Sequence, residues 1–218
     1  SEAAKYYQLF LNKGFSDARV SMNLGGILYK QGKLNEAEQS LQKAIQIKPD
    51  FAIAHYNLGI ILKDLGKLKE AELSYRKAIE FKPDYAEAHS NLGDIFTNLG
   101  KLEKAEISYR KAIEIKPDYA IAHSNLGNIL RDLGKLEELL LISESTLESQ
   151  FINQEYKLLA SLQITIANLL QKDFSETLLS INKTNELINR GGINTIKDEK
   201  NRKYAFTFSG FINSLYPL

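Results

Sequence analysis

The sequence predicts an all-α fold of stacked helical hairpins, and three observations carry that expectation. Lys-Pro-Asp recurs at Lys48-Pro49-Asp50, Lys82-Pro83-Asp84 and Lys116-Pro117-Asp118, so the prolines stand 34 residues apart. Ala52–Tyr85 and Ala86–Tyr119 share 24 of 34 positions, far beyond chance. Such self-similarity marks an array whose units bury their apolar faces against one another. Within each unit the apolar side chains fall at helical rather than alternating spacing.

The elements follow in chain order. Ala3, Tyr7 and Phe10 fit the second helix of a preceding unit, so residues 1–17 read as part of a unit whose first helix is missing. A chain that opens on Ser1 and stops at Leu218 without a polar tail reads as a piece of a longer protein. Residues 18–138 read as the array, with units at 18–51, 52–85 and 86–119 and the start of one at 120–153. In the second unit Ala54, Leu58, Ile61, Leu62 and Leu65 define one helix that ends at Gly66. Ala71, Tyr75, Ala78 and Ile79 define a second, ended by Pro83, which lacks a donor and crowds the preceding turn. Gly59 and Ala71 are small enough to let the two helices approach closely. Asp84 is expected to cap the next helix, with Glu87 three residues on completing a capping box. Glu72–Arg76 and Glu106–Arg110 are expected as outward pairs one turn apart.

These residues closely resemble the tetratricopeptide repeat, whose pattern places Leu-Gly early, Ala and an aromatic four apart later, and Pro near the end. The matches are Leu58-Gly59, Ala71, Tyr75 and Pro83, then Leu92-Gly93, Ala105, Tyr109 and Pro117. The first unit has Leu24-Gly25, Ala37, Leu41 and Pro49. A fourth begins with Leu126-Gly127 but carries Leu139 and Thr146 for Ala and Phe151 for Pro. The resemblance is specific over 18–137. It implies a right-handed superhelical α-solenoid, here with a divergent helical C-terminal cap.

Beyond Leu139 the near-identity stops. Leu139-Leu140-Leu141-Ile142 is apolar on every side, as suits a helix covered on both faces. Asn153–Gln171 and Phe174–Asn189 read as two long helices joined by the turn of a decayed fifth unit. A last helix is expected over Lys197–Leu215, with Tyr204, Phe208, Phe211, Ile212 and Leu215 on one side. A solenoid needs terminal units that cover its apolar end, so 139–218 reads as a capping subdomain. The alternative is an aromatic helix docked on a further domain.

In this family the first helices of successive units line a groove. Asn23, Asn57, Asn91 and Asn125 precede Leu-Gly each time, on the same face of equivalent helices. Each amide offers a donor and an acceptor, which an extended peptide backbone matches in reverse. The row resembles the asparagine ladder of O-linked N-acetylglucosamine transferases, and that resemblance implies a grip on peptide backbone. The alternative is a bond to a neighbouring helix. Specificity would then rest on groove residues that vary: Tyr56, Ile60, Lys63 and Asp64, then Asp94 and Asn98, then Asn128, Arg131 and Asp132. Their mixed signs favour no single charge class of ligand. A two-carboxylate clamp, as in chaperone-binding members of the family, needs Lys and Arg where this chain has Met22, Gly26, Glu87 and Asn91.

Other chemistry is weakly supported. With 28 basic and 27 acidic side chains, the chain lacks the cationic surplus that phosphate binding needs, which speaks against nucleic acid. It has no Cys, so disulfides and thiolate metal sites are excluded. No apolar run is long enough to span a bilayer, and a cytoplasmic location is expected. His55, His89 and His123 lie one repeat apart and read as packing residues rather than metal ligands. Gly25-Gly26 follows a helical pattern and makes no phosphate loop. No Ser–His–Asp set has local support. Asn182-Lys183-Thr184 matches a glycosylation pattern without a secretion signal, and Lys197–Lys203 mixes both signs as a solvated helix start does.

The expectation is therefore a scaffold with no cofactor, metal or catalytic centre, holding a peptide or a partner helix of unknown identity. Two alternatives stand beside it: the substrate-recruiting arm of a larger transferase-like enzyme, and a module that assembles with copies of itself.

Overall fold

The computed structural model describes residues 2–14, 16–150, 152–171 and 174–189. These form eleven helices and no strand. The helix expected at 197–215 lies outside the described residues. Contacts divide the chain into two compact units, 1–101 and 102–218.

The first unit holds α1 (Glu2–Asn12), the hairpins α2/α3 (Ala18–Lys30, Leu34–Ile47) and α4/α5 (Ala52–Asp64, Leu68–Phe81), and α6 (Ala86–Asn98). Gly59 makes the α4/α5 contact possible: a Cβ there would stand 2.6 Å from the Tyr75 ring. Tyr75 fills the space with no exposure, beside the equally buried Ala71 and Ala78. Gly25 takes the same part against Leu41 in the hairpin before. Both of these hairpins turn at a glycine, as at Gly66, whose φ of 75° suits a residue without Cβ. The turn is sealed by the Lys67 amide donating to the Leu62 carbonyl at 2.8 Å.

The second unit holds α7 (Leu102–Ile115), α8/α9 (Ala120–Asp132, Leu136–Glu148) and α10/α11 (Gln154–Leu170, Phe174–Asn189). The fifth hairpin is built differently from the others. Its first helix runs 17 residues against 13 in α4, α6 and α8. Gln163 stands where earlier units bury Ile61, Ile95 and Ile129, and Ser143 stands where they have Leu41, Tyr75 and Tyr109. The two changes match. Gln163 enters the slot beside Gly127 that an aromatic ring would fill, and its amide donates to the Ser124 carbonyl at 3.0 Å. In the same hairpin Ser161 and Thr184 share a buried hydroxyl bond of 2.7 Å, and Leu158, Leu159 and Leu162 form a buried cluster with Tyr156 and Leu187 packed against it.

Two local expectations need correction. The cap of α6 is Tyr85, with no side-chain hydrogen bond. Asp84 therefore sits one residue too early for its carboxylate to serve the first-turn amides. Side-chain caps occur at Asp17, which accepts from the Arg19 and Val20 amides, and at Asn153. The expected acid–base pairs form, Glu72–Arg76 at 2.8 Å and Glu106–Arg110 at 3.0 Å. They are not simply outward, however, because Glu106 is only 8% exposed.

Candidate functional site

That burial has a partner. Lys67 reaches back to Glu38 at 2.8 Å, Lys101 to Glu72 at 3.6 Å, and Lys135 to Glu106 at 2.8 Å. Each lysine follows the turn glycine of one hairpin, and each carboxylate belongs to the helix pair before it. Burial opposes ionisation of Glu106, but hydrogen bonds from Lys135 and Arg110 outweigh it and hold the carboxyl below its ordinary range. The signal was present as a 34-residue period in both residue types. Sequence reasoning missed it because a Glu and a Lys 29 positions apart look unrelated until hairpins stack.

The histidines act as staples. Nε2 of His55 donates to the Pro49 carbonyl at 2.8 Å, and His89 and His123 bond Pro83 and Pro117 at 3.0 and 2.8 Å. Each ties the start of a first helix to the preceding inter-hairpin turn. Among the described residues no group of three or more His, Cys, Asp or Glu is placed to hold a metal ion.

On the first unit's face formed by α2, α4 and α6, Asn23 is exposed while Asn57 and Asn91 are half-buried. Asn91 is engaged from within: its Nδ2 donates to the Tyr56 and Tyr75 hydroxyls at 3.3 and 3.4 Å. Tyr56 packs on Tyr85 with centroids 4.7 Å apart and on Tyr75 at 5.9 Å. Burial, and then the neighbouring Tyr56, pushes the Tyr85 phenol up to about 12; burial likewise raises Tyr75 and Tyr56. The variable polar residues also pair across helices. Lys63 meets Asp94 at 3.6 Å, and Asp64 accepts a 2.7 Å bond from the Tyr29 hydroxyl. Asn98 is exposed. The structure thus joins Tyr56 and Asn91 with Tyr75 and Tyr85 in one cluster, and it forms the pairs Lys63–Asp94 and Asp64–Tyr29.

In the second unit Asn125 is half-buried on α8, and Asn128 accepts from Gln163 at 3.4 Å. Arg131 folds onto its neighbour Asp132 at 2.9 Å. Gln163 gave no advance sign, because its place opposite Gly127 depends on how α10 packs.

Repeated helical hairpins with equivalent side chains on successive first helices define a helical-repeat protein. A profile of the TPR repeat matches residues 25–66, 61–100 and 93–134, just over half of the chain, and the chain belongs to the tetratricopeptide-repeat family. Among solved structures, MamA is 26% identical, with a TM-score of 0.62 over 64% of this chain and 81% of that one. YrrB, described as a TPR protein with an unusual peptide-binding site, is 18% identical, with a TM-score of 0.72 over 94% of this chain and 99% of that one. The first TPR of Spaghetti (RPAP3), solved with the HSP90 peptide SRMEEVD, is 28% identical, with a TM-score of 0.53 over 54% of this chain and 94% of that one. No curated protein matches the chain. No described helix is long and apolar enough to cross a membrane.

Proposed function

We propose that this protein is an interaction scaffold that holds an extended peptide along the face formed by α2, α4 and α6. One observation carries the reading: Asn23, Asn57 and Asn91 occupy the same register on three successive first helices of one compact unit. Amides so arranged match the alternating donors and acceptors of peptide backbone. The Spaghetti repeat, which is similar to part of this chain and was solved with a bound peptide, supports the same class of ligand. Asn125 extends the pattern in the second unit. In the same reading, residues 139–218 close the array, with Gln163 occupying the slot beside Gly127 that an aromatic ring fills beside Gly59.

Magnitudes shape the expected behaviour. A net hydrogen bond contributes about 0.5–1.5 kcal/mol, and ordering of the peptide opposes it. Binding by amides alone is therefore weak and tolerant of sequence. Selectivity falls to Tyr56, Lys63, Asp64 and Asp94, whose side chains already have partners (Lys63 with Asp94, Asp64 with Tyr29, Tyr56 with Asn91), so a ligand must displace or extend those pairs.

The test is the double change Asn57→Ala and Asn91→Ala, with capture measured on an immobilised library of extended peptides. Loss of two amide contacts predicts a drop of about 5- to 150-fold. Unaltered capture by a variant whose circular dichroism matches the parent would reject the ladder.

A further inference from the structure

We propose that the second unit carries a separate docking site, on the turn edge of the fourth hairpin, for a partner's basic segment bearing an aromatic side chain. The repeat supplies its own reference. In the second hairpin the Phe81 ring lies against His55, with centroids 5.5 Å apart. Lys77, one turn earlier, sits 5.8 Å over that ring and pairs with Glu80 at 2.8 Å. A lysine and an aromatic four residues apart thus cover the imidazole and balance the nearby carboxylate.

Two repeats on, the frame persists while the lysine and the aromatic ring are replaced. His123 keeps the same 2.8 Å bond to the Pro117 carbonyl that His55 makes to Pro49. Glu148 stands where Glu80 stood. Ser149 replaces Phe81, Ser145 replaces Lys77, and Glu144 replaces Arg76. A cleft of about 750 Å³ opens there, lined by Pro117, His123, Leu141, Ile152 and three carboxylates, Asp118, Glu144 and Glu148. That volume falls within the range of ligand sites, roughly 300–1,000 Å³.

Charge and surface specify the occupant. In the second hairpin Arg76 and Lys77 are each ion-paired with a glutamate. Among the described residues no basic side chain pairs with Asp118, Glu144 or Glu148. Leu141 is 70% exposed at the same edge. A cationic side chain gains charge-assisted bonds to these carboxylates, and an apolar one gains burial against the exposed Leu141 in the cleft that Ile152 and His123 also line. The matching ligand is a helical segment carrying Lys or Arg with Phe or Tyr four residues later, the spacing of Lys77 and Phe81.

The probe is a fluorescent, acetylated and amidated alanine-based helix carrying two Lys-Ala-Ala-Ala-Phe units, titrated with the full chain and read by anisotropy. Saturable binding is expected, at least tenfold weaker when the probe's lysines become Glu or its phenylalanines become Ala. Ser145→Lys with Ser149→Phe restores the residues of the second hairpin, fills the cleft from within and should weaken probe binding at least tenfold while melting no lower than the parent. Should that variant fold poorly, Glu144→Gln with Glu148→Gln, both on the exposed edge, should weaken binding at least tenfold. Asn57→Ala with Asn91→Ala should leave it unchanged, which separates this site from the face of the first unit. The proposal is overturned by absence of saturable binding, by equal binding of the Glu probe, by undiminished binding to folded charge variants, by loss in the Asn variant, or by a parent dimer that excludes the probe.

Discussion

Gly59→Ala and Gly26→Ala, made in parallel, isolate the steric term that fixes the hairpin. Both positions lie inside first helices, α4 and α2, so both gain about 1 kcal/mol of helix propensity on acquiring a methyl group. At Gly26 the new Cβ meets nothing within 4 Å. Gly26→Ala should therefore stabilise by about 0.5–1 kcal/mol. At Gly59 the Cβ would stand 2.6, 2.7 and 2.9 Å from three carbons of the Tyr75 ring, against an optimum of about 3.5–4 Å. The ring has no room to retreat. It is fully buried, packs on Tyr56 with centroids 5.9 Å apart, and its hydroxyl accepts from Asn91 at 3.4 Å. Overpacking of this kind costs about 1–3 kcal/mol, which offsets or exceeds the propensity gain. The two variants should thus differ by about 1–3 kcal/mol, or about 2–12 °C in melting temperature at this chain length. Far-UV circular dichroism in urea and on heating measures this. Whole curves should be compared, because repeat arrays can unfold in stages. A Gly59→Ala protein at least as stable as Gly26→Ala would refute the close-packing account.

Two further outcomes follow from the packing. Tyr56, Tyr75 and Tyr85 all have raised phenol pKa values, so they should ionise later than exposed tyrosines in a spectrophotometric alkaline titration. A raised folded-state pKa stabilises fully below the unfolded value near 10 and is lost as pH rises, for Tyr85 through about 12. Stability measured in urea should fall across that window, and a flat profile would contradict the burial. Lys67→Ala should destabilise more than Lys33→Ala, since Lys67 holds the 8%-exposed Glu38 whereas Lys33 pairs with the exposed Glu36. Equal urea midpoints would show that the inter-hairpin ion pairs are incidental.

Periodicity and punctuation carried far through this chain. The 34-residue period placed the hairpins, and glycine and proline marked their ends. Even in the divergent stretch, the helices expected at Asn153–Gln171 and Phe174–Asn189 appear as Gln154–Leu170 and Phe174–Asn189, because apolar spacing survives where identity does not. The cap assignment at Asp84 failed over a single residue, since a non-helical residue, Tyr85, stands between it and the first helical turn. The asparagines were visible as a row, but their differing surroundings were not: Asn23 is exposed, whereas Asn91 is bonded to two tyrosines of the preceding hairpin.

By itself the sequence determined what is local or repeated: the helices, their turns, the small residues at hairpin contacts and the equivalence of positions along the array. These depend on neighbours three, four or 34 residues away, separations that a pattern records directly. Only the tertiary structure decided which side chains meet between hairpins. It paired Glu38 with Lys67, set Gln163 against Gly127, stapled each histidine to a proline carbonyl and gathered Asp118, Glu144 and Glu148 around one cleft. Those contacts depend on how closely helices approach and at what rotation, and packed side-chain volume rather than sequence spacing sets both.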